Sequence, residues 1–219
     1  MTERPKLARR SALFLALASL SGCSVLPDRP YQEVQRYALA PERPQRGGPP
    51  SRGAPVLLVR TLRAAPGLDV RGLRLLGANG QVGTEYWQEW TAPPADLVEE
   101  ALRRWLAASG RFAAVTLPGS RLRADVVLEG ELIRLQAEPA AGLGRAALSV
   151  LLLAEPQTGN GEARILGQFV AEGSAPIAGG ARRDGKLAAS EAAAAMSAAL
   201  GAALGEVEQT LARLVPARR

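Results

Sequence analysis

Val82-Gly83-Thr84-Glu85-Tyr86-Trp87-Gln88-Glu89-Trp90-Thr91-Ala92-Pro93-Pro94-Ala95-Asp96-Leu97-Val98 changes its period in the middle, and that change sets the fold. Up to Trp90 the residues read as a strand, with Val82, Tyr86 and Trp90 on one face and Glu85, Trp87 and Glu89 on the other. Pro93 and Pro94 then suit a helix start. Beyond them Leu97, Val98, Ala101, Leu102, Trp105 and Leu106 form an apolar stripe up to Gly110, which predicts an amphipathic helix.

Upstream, Leu73–Leu76 is separated from Val82 by a turn containing Asn79-Gly80, a strong hairpin signal. Val56-Leu57-Leu58-Val59 follows Pro55 and reads as an interior strand. Downstream, Asp125–Gln136, Ala146–Ala154 and Arg164–Gly173 read as three more strands, the last two joined by a loop through Pro156 and Gly159-Asn160-Gly161. Leu187–Leu214 is Ala-rich, with Met196, Leu200, Leu204, Val207 and Leu211 on one stripe, so a long terminal helix should cover a sheet face. The expected fold is a single α+β domain: a mixed or mainly antiparallel sheet of about five to six strands with two main helices packed on it.

The chain has 219 residues, 47% of them hydrophobic and 22% charged, enough for one domain of ordinary size plus a targeting segment. Its formal charge is +6. Half of that excess comes from Arg4, Lys6, Arg9 and Arg10 set against Glu3. Elsewhere Arg and acids are interleaved, which argues against a nucleic-acid partner. There is no His and a single Cys, so Ser-His-Asp and Cys-His catalysis and His-containing metal sites are excluded. No metal or cofactor is expected beyond covalent lipid.

Residues 1–22 carry a basic stretch followed by the apolar run Ser11–Leu20, the length of a signal-peptide core and too short to span a bilayer. The run ends in Leu20-Ser21-Gly22-Cys23, which resembles the lipobox read by signal peptidase II in bacterial lipoproteins. The resemblance implies cleavage before Cys23, a diacylglycerol on its sulfur and a third acyl chain, such as palmitate, on the new amino terminus. More than one chain gives stable anchoring. Ser24 rather than Asp follows Cys23, which by the same resemblance favours the periplasmic face of the outer membrane over inner-membrane retention.

Residues 23–54 hold six prolines from Pro27 to Pro50, together with Gly47-Gly48, and read as a solvated tether with a reach of roughly 30 Å at ~5–6 Å × √n. Within it Arg36–Leu39 reads either as a short strand or as a transient contact. The globular domain is expected to occupy 55–219.

Three acid pairs are candidates for chemistry: Glu99/Glu100, Glu129/Glu131 and Glu206/Glu208. Only Glu129 and Glu131, two apart on a strand, project from one face, and the same alternation serves solubility alone. No residue is assigned a catalytic role. Tyr86 and Trp90 are expected to be core anchors between sheet and first helix, and Trp87, on the opposite face, is the candidate for a partner contact.

The lipobox, Tyr37-Ala38-Leu39, the Val56–Val59 strand and the Tyr86…Trp90…Pro93-Pro94 series together resemble the auxiliary lipoproteins of ABC-type transport systems, the PqiC-like family. In that family a Tyr, a Trp and a Pro pair precede the first long helix, and Trp90 rather than Trp87 fits the pattern. Ala124–Leu132 looks like the family's third strand. The resemblance covers most of residues 20–215. It implies a non-enzymatic outer-membrane lipoprotein that works with an MCE-domain protein and ABC transporter components in phospholipid transport. A ring-forming partner would favour a homo-oligomer by symmetry. Two other readings stay open: a lipoprotein chaperone of lipopolysaccharide or barrel-protein assembly, and a lipid-anchored enzyme using carboxylates.

Overall fold

A computed structural model describes residues 31–45, 47–156, 161–181 and 187–215. The signal peptide, Leu20, Ser21, Gly22, Cys23 and part of the loop after Pro156 lie outside the described residues. The chain divides into a unit Met1–Glu33 and a compact unit Val34–Arg219. All of the secondary structure below belongs to the second.

That unit is α+β, built around one long strand. β7 (Val126–Glu138) alternates Val126, Leu128, Leu132, Leu135 and Ala137 toward the core, with a register shift between Leu132 and Arg134. Along one edge it pairs antiparallel with β8 (Leu143–Ala154), which pairs antiparallel with β9 (Arg164–Pro176). Along its other edge three short strands succeed one another, all parallel to it: β2 (Val56–Val59), β3 (Arg63–Ala64) and β4 (Gly72–Leu76). β6 (Ala114–Thr116) pairs with β2, and β5 (Val82–Trp90) returns antiparallel to β4. β1 (Gln35–Tyr37) lies parallel to β5 at the end of the sheet.

Both helices pack on one side. α1 (Pro94–Ala108) turns Val98, Leu102, Trp105 and Leu106 inward, and α2 (Ala189–Leu214) buries Met196, Leu200, Leu204, Val207 and Leu211, the stripe expected from sequence. α2 lies unusually close to the sheet. A Cβ on Gly144 or Gly173 would collide with the α2 backbone at Ala195 or Ala199, so the strands carry glycine where the helix carries alanine.

The class and the helices agree with the sequence reading, but among the described residues nine strands form the sheet where about five to six were expected. Three are additional: β1, which the sequence left open, and β3 and β6, which are two and three residues long and show no periodicity of their own. Pairing with β5, β7 and β2 respectively defines β1, β3 and β6.

The domain also begins earlier than residue 55. Arg36 and Tyr37 lie in β1, Leu39 just beyond it is buried, and the Tyr37 carbonyl accepts from the Thr91 amide at 3.0 Å. Gly47 donates to the Ala108 carbonyl at 2.9 Å, and Gly47-Gly48 lies directly against Ser109-Gly110, leaving no room for side chains. The second half of the supposed tether is therefore part of the domain. Proline-rich backbone is already restricted, so a few long-range contacts suffice to fix it.

Candidate functional site

Tyr86, Trp87 and Trp90 lie along β5, and Pro93 and Pro94 at the start of α1. β4 and β5 pair around a tight turn in which the Gly77 amide reaches the Gln81 carbonyl at 2.8 Å and Gly80 takes a positive φ of 78°. The pairing then slips. Arg74 faces Thr84 but Gly72 faces Glu89, so β5 spends three more residues than β4 over that interval. The surplus falls on Glu85–Gln88, which bulges away from β4.

This bulge decides what each aromatic does. Trp90, beyond it, is 1% exposed at the base of the core, and the chain turns through Pro93 into α1, where Pro94 is the first residue and is buried. Trp87 is 49% exposed, as expected for the opposite face. Tyr86 is 88% exposed, although period-2 counting places it beside Trp90 in the core. The register slip breaks the alternation between them, and Val82, on the same predicted face, is likewise exposed. Tyr86 is not a core anchor.

A second feature joins the ordered Pro-rich segment to the helices. Arg43 donates to Glu208 through Nη2 at 2.7 Å and Nε at 3.3 Å, and the same carboxylate accepts from Trp105 Nε1 at 2.7 Å. The Arg43 guanidinium also lies 5.9 Å from the centre of the Trp105 ring. Beside this cluster an open groove of about 820 Å³ runs between Tyr37–Pro44 and the small side chains Ala194, Ala198 and Ala202 of α2. Sequence reading missed the cluster because Arg43 sits among turn formers. The only available signal was the buried-helix pattern around Trp105.

The acid pairs are all engaged. Glu129 pairs with Arg60 at 3.1 Å and Glu131 with Arg63 at 3.5 Å, on the sheet face away from the helices. Glu99 accepts from the Leu62 amide at 3.0 Å, and Glu100 lies 3.7 Å from Arg104. Glu206 accepts from the Glu172 amide of β9 at 2.7 Å, so it closes part of an edge strand. Each member of a pair has its own partner rather than a shared target. Among the described residues no group of three or more Cys, Asp or Glu is placed to hold a metal ion. No helix among them is long and apolar enough to cross a membrane.

No family model and no curated protein sequence matches the chain. Its fold does have solved counterparts. Protein XCC0632 from Xanthomonas campestris, which carries the family label DUF330, superposes with a TM-score of 0.60 at 21% identity, over 82% of this chain and 96% of that one. An uncharacterized protein superposes with a TM-score of 0.56 at 14% identity, over 83% and 97%. At these identities the likeness shows the shared α+β fold.

Proposed function

We propose that the chain is a lipoprotein acylated at Cys23, held at the periplasmic face of the outer membrane, and that it serves as a non-enzymatic docking component of an ABC/MCE-type lipid-transport system. The anchor rests on Leu20-Ser21-Gly22-Cys23 behind a basic and then apolar leader. The role in transport rests on the β5–α1 junction. There Trp90 closes the core and Pro93-Pro94 starts α1, the order in which the PqiC-like pattern places its Trp and Pro pair.

Two features agree with a docking role. The candidate carboxylates are held by arginines and backbone amides, and the charged groups of the open sheet face are ion-paired with one another. The partners on this reading are an MCE-domain protein and ABC transporter components, with a homo-oligomer expected if the partner is a ring.

The test compares wild type with Cys23→Ala by membrane fractionation and intact mass, followed by crosslinking and capture of the tagged wild type. Triacylated wild type in the outer membrane that brings down an MCE protein is the expected result. Absence of acyl mass would remove the anchor, and capture without any MCE protein would remove the transport role.

A further inference from the structure

Residues 77–87, the tip and outer half of the β4–β5 hairpin, are exposed without interruption. In a chain that is 22% charged, this arm of Gly77-Ala78-Asn79-Gly80-Gln81-Val82-Gly83-Thr84-Glu85-Tyr86-Trp87 holds one charged residue, Glu85. It also holds two of the largest exposed apolar side chains of the domain, Tyr86 and Trp87, pushed outward by the bulge. Nothing inside the domain explains them.

The position of the arm indicates what it meets. β1 runs parallel to β5, with Gln35 opposite Gln88 and Tyr37 opposite Trp90. Residues that precede Gln88 on β5 therefore lie at the end of the sheet where the chain enters β1. That chain leads back to Cys23, and even fully extended the link of about 12 residues spans at most roughly 40 Å. The chain that carries Cys23 thus enters β1 at the end of the sheet that carries the hairpin tip, Tyr86 and Trp87.

Tyr and Trp, with one apolar and one polar end, are the side chains that settle at the boundary between headgroups and acyl chains, and a charge-poor arm loses little on approaching it. We infer that the Gly77–Trp87 arm is a membrane foot, with Tyr86 and Trp87 seated in the headgroup layer of the bilayer that holds the anchor. It fixes the orientation of the domain on the lipid surface, which a single anchored terminus cannot do. This inference rests on acylation of Cys23.

The experiment uses the lipidated full-length protein, reconstituted into phosphatidylethanolamine–phosphatidylcholine vesicles with or without bromine near the headgroup end of the acyl chains. Trp90 and Trp105 are buried, so Trp87 is the tryptophan that bromine can reach. The expected result is loss of the Trp87 component of emission in brominated vesicles, with no comparable loss for Trp87→Phe, which keeps an aromatic ring and the fold. Flotation with acyl mass at Cys23 but unquenched Trp87 would overturn the foot and leave the anchor standing. So would an unquenched Trp87 that becomes shielded only when an MCE protein is added, since the arm would then belong to a protein partner. Failure to float, with Cys23 unmodified, would overturn anchor and foot together.

Discussion

Arg43 and Glu208, 165 positions apart in the chain, meet in a two-pronged ion pair that Trp105 joins from α1. Their side chains are about one-fifth exposed, so the pair is shielded from water on most sides. One carboxylate thereby ties the Pro-rich segment and both helices together. Hydrogen bonds to charged groups contribute about 1.5–3 kcal/mol each.

Glu208→Ala should therefore destabilise the domain by about 2–4 kcal/mol, because it strands both the Arg43 guanidinium and the Trp105 indole N–H. Glu208→Gln can keep an acceptor for Trp105 while losing the charge, and should cost less. Urea unfolding of the two variants checks the order. Equal losses would mean that the indole bond contributes nothing.

Trp90 and Tyr86 belong to one sequence series but should respond oppositely to truncation. Trp90→Ala empties the core below α1 and should cost about 3–5 kcal/mol. Tyr86→Ala removes a side chain that is already in water and should change stability by less than about 0.5 kcal/mol. Thermal and urea unfolding read both directly.

The contrast between these aromatics also shows what the sequence made legible. The β4–β5 turn announces itself through Asn79-Gly80, β2, β7, β8 and β9 through apolar, β-leaning runs, and both helices through stripes sustained over several turns. The step at Glu85–Gln88 does not, since a bulge is set by how two strands pair and not by either strand alone. β3 and β6 are too short to have a period, and the segment from Val34 to Ala54 is fixed by distant partners, Leu39 in the core and Arg43 on Glu208. Composition calls such a segment a tether. The candidate site was legible in its residue types, and half misread in which of them are buried.

Gly173 should be intolerant of any side chain, because a Cβ there meets the Ala199 carbonyl and the Ala203 amide of α2. Gly173→Val is expected to lose about 1–3 kcal/mol or more through displacement of the helix from β9. Gly83→Ala is the matched control. It lies in a strand with nothing within 4 Å of the new methyl group, and should be neutral or slightly stabilising. Comparable losses at both positions would argue for a general cost of replacing strand glycine instead of close helix approach.

Glu129 and Glu131 separate a docking protein from a carboxylate enzyme most directly. In the structure each has its own arginine, and with Arg60 about 55% and Glu129 about 37% exposed the first pair is solvent-screened and worth no more than about 1 kcal/mol. Glu129→Gln and Glu131→Gln, alone or together, should then leave stability nearly unchanged, with any small loss fading as salt is raised. Complementation of a deletion strain under envelope stress should be unaffected by either substitution if the face only keeps the sheet soluble. A loss of complementation with unchanged stability, membrane association and partner capture would instead assign chemistry to these carboxylates.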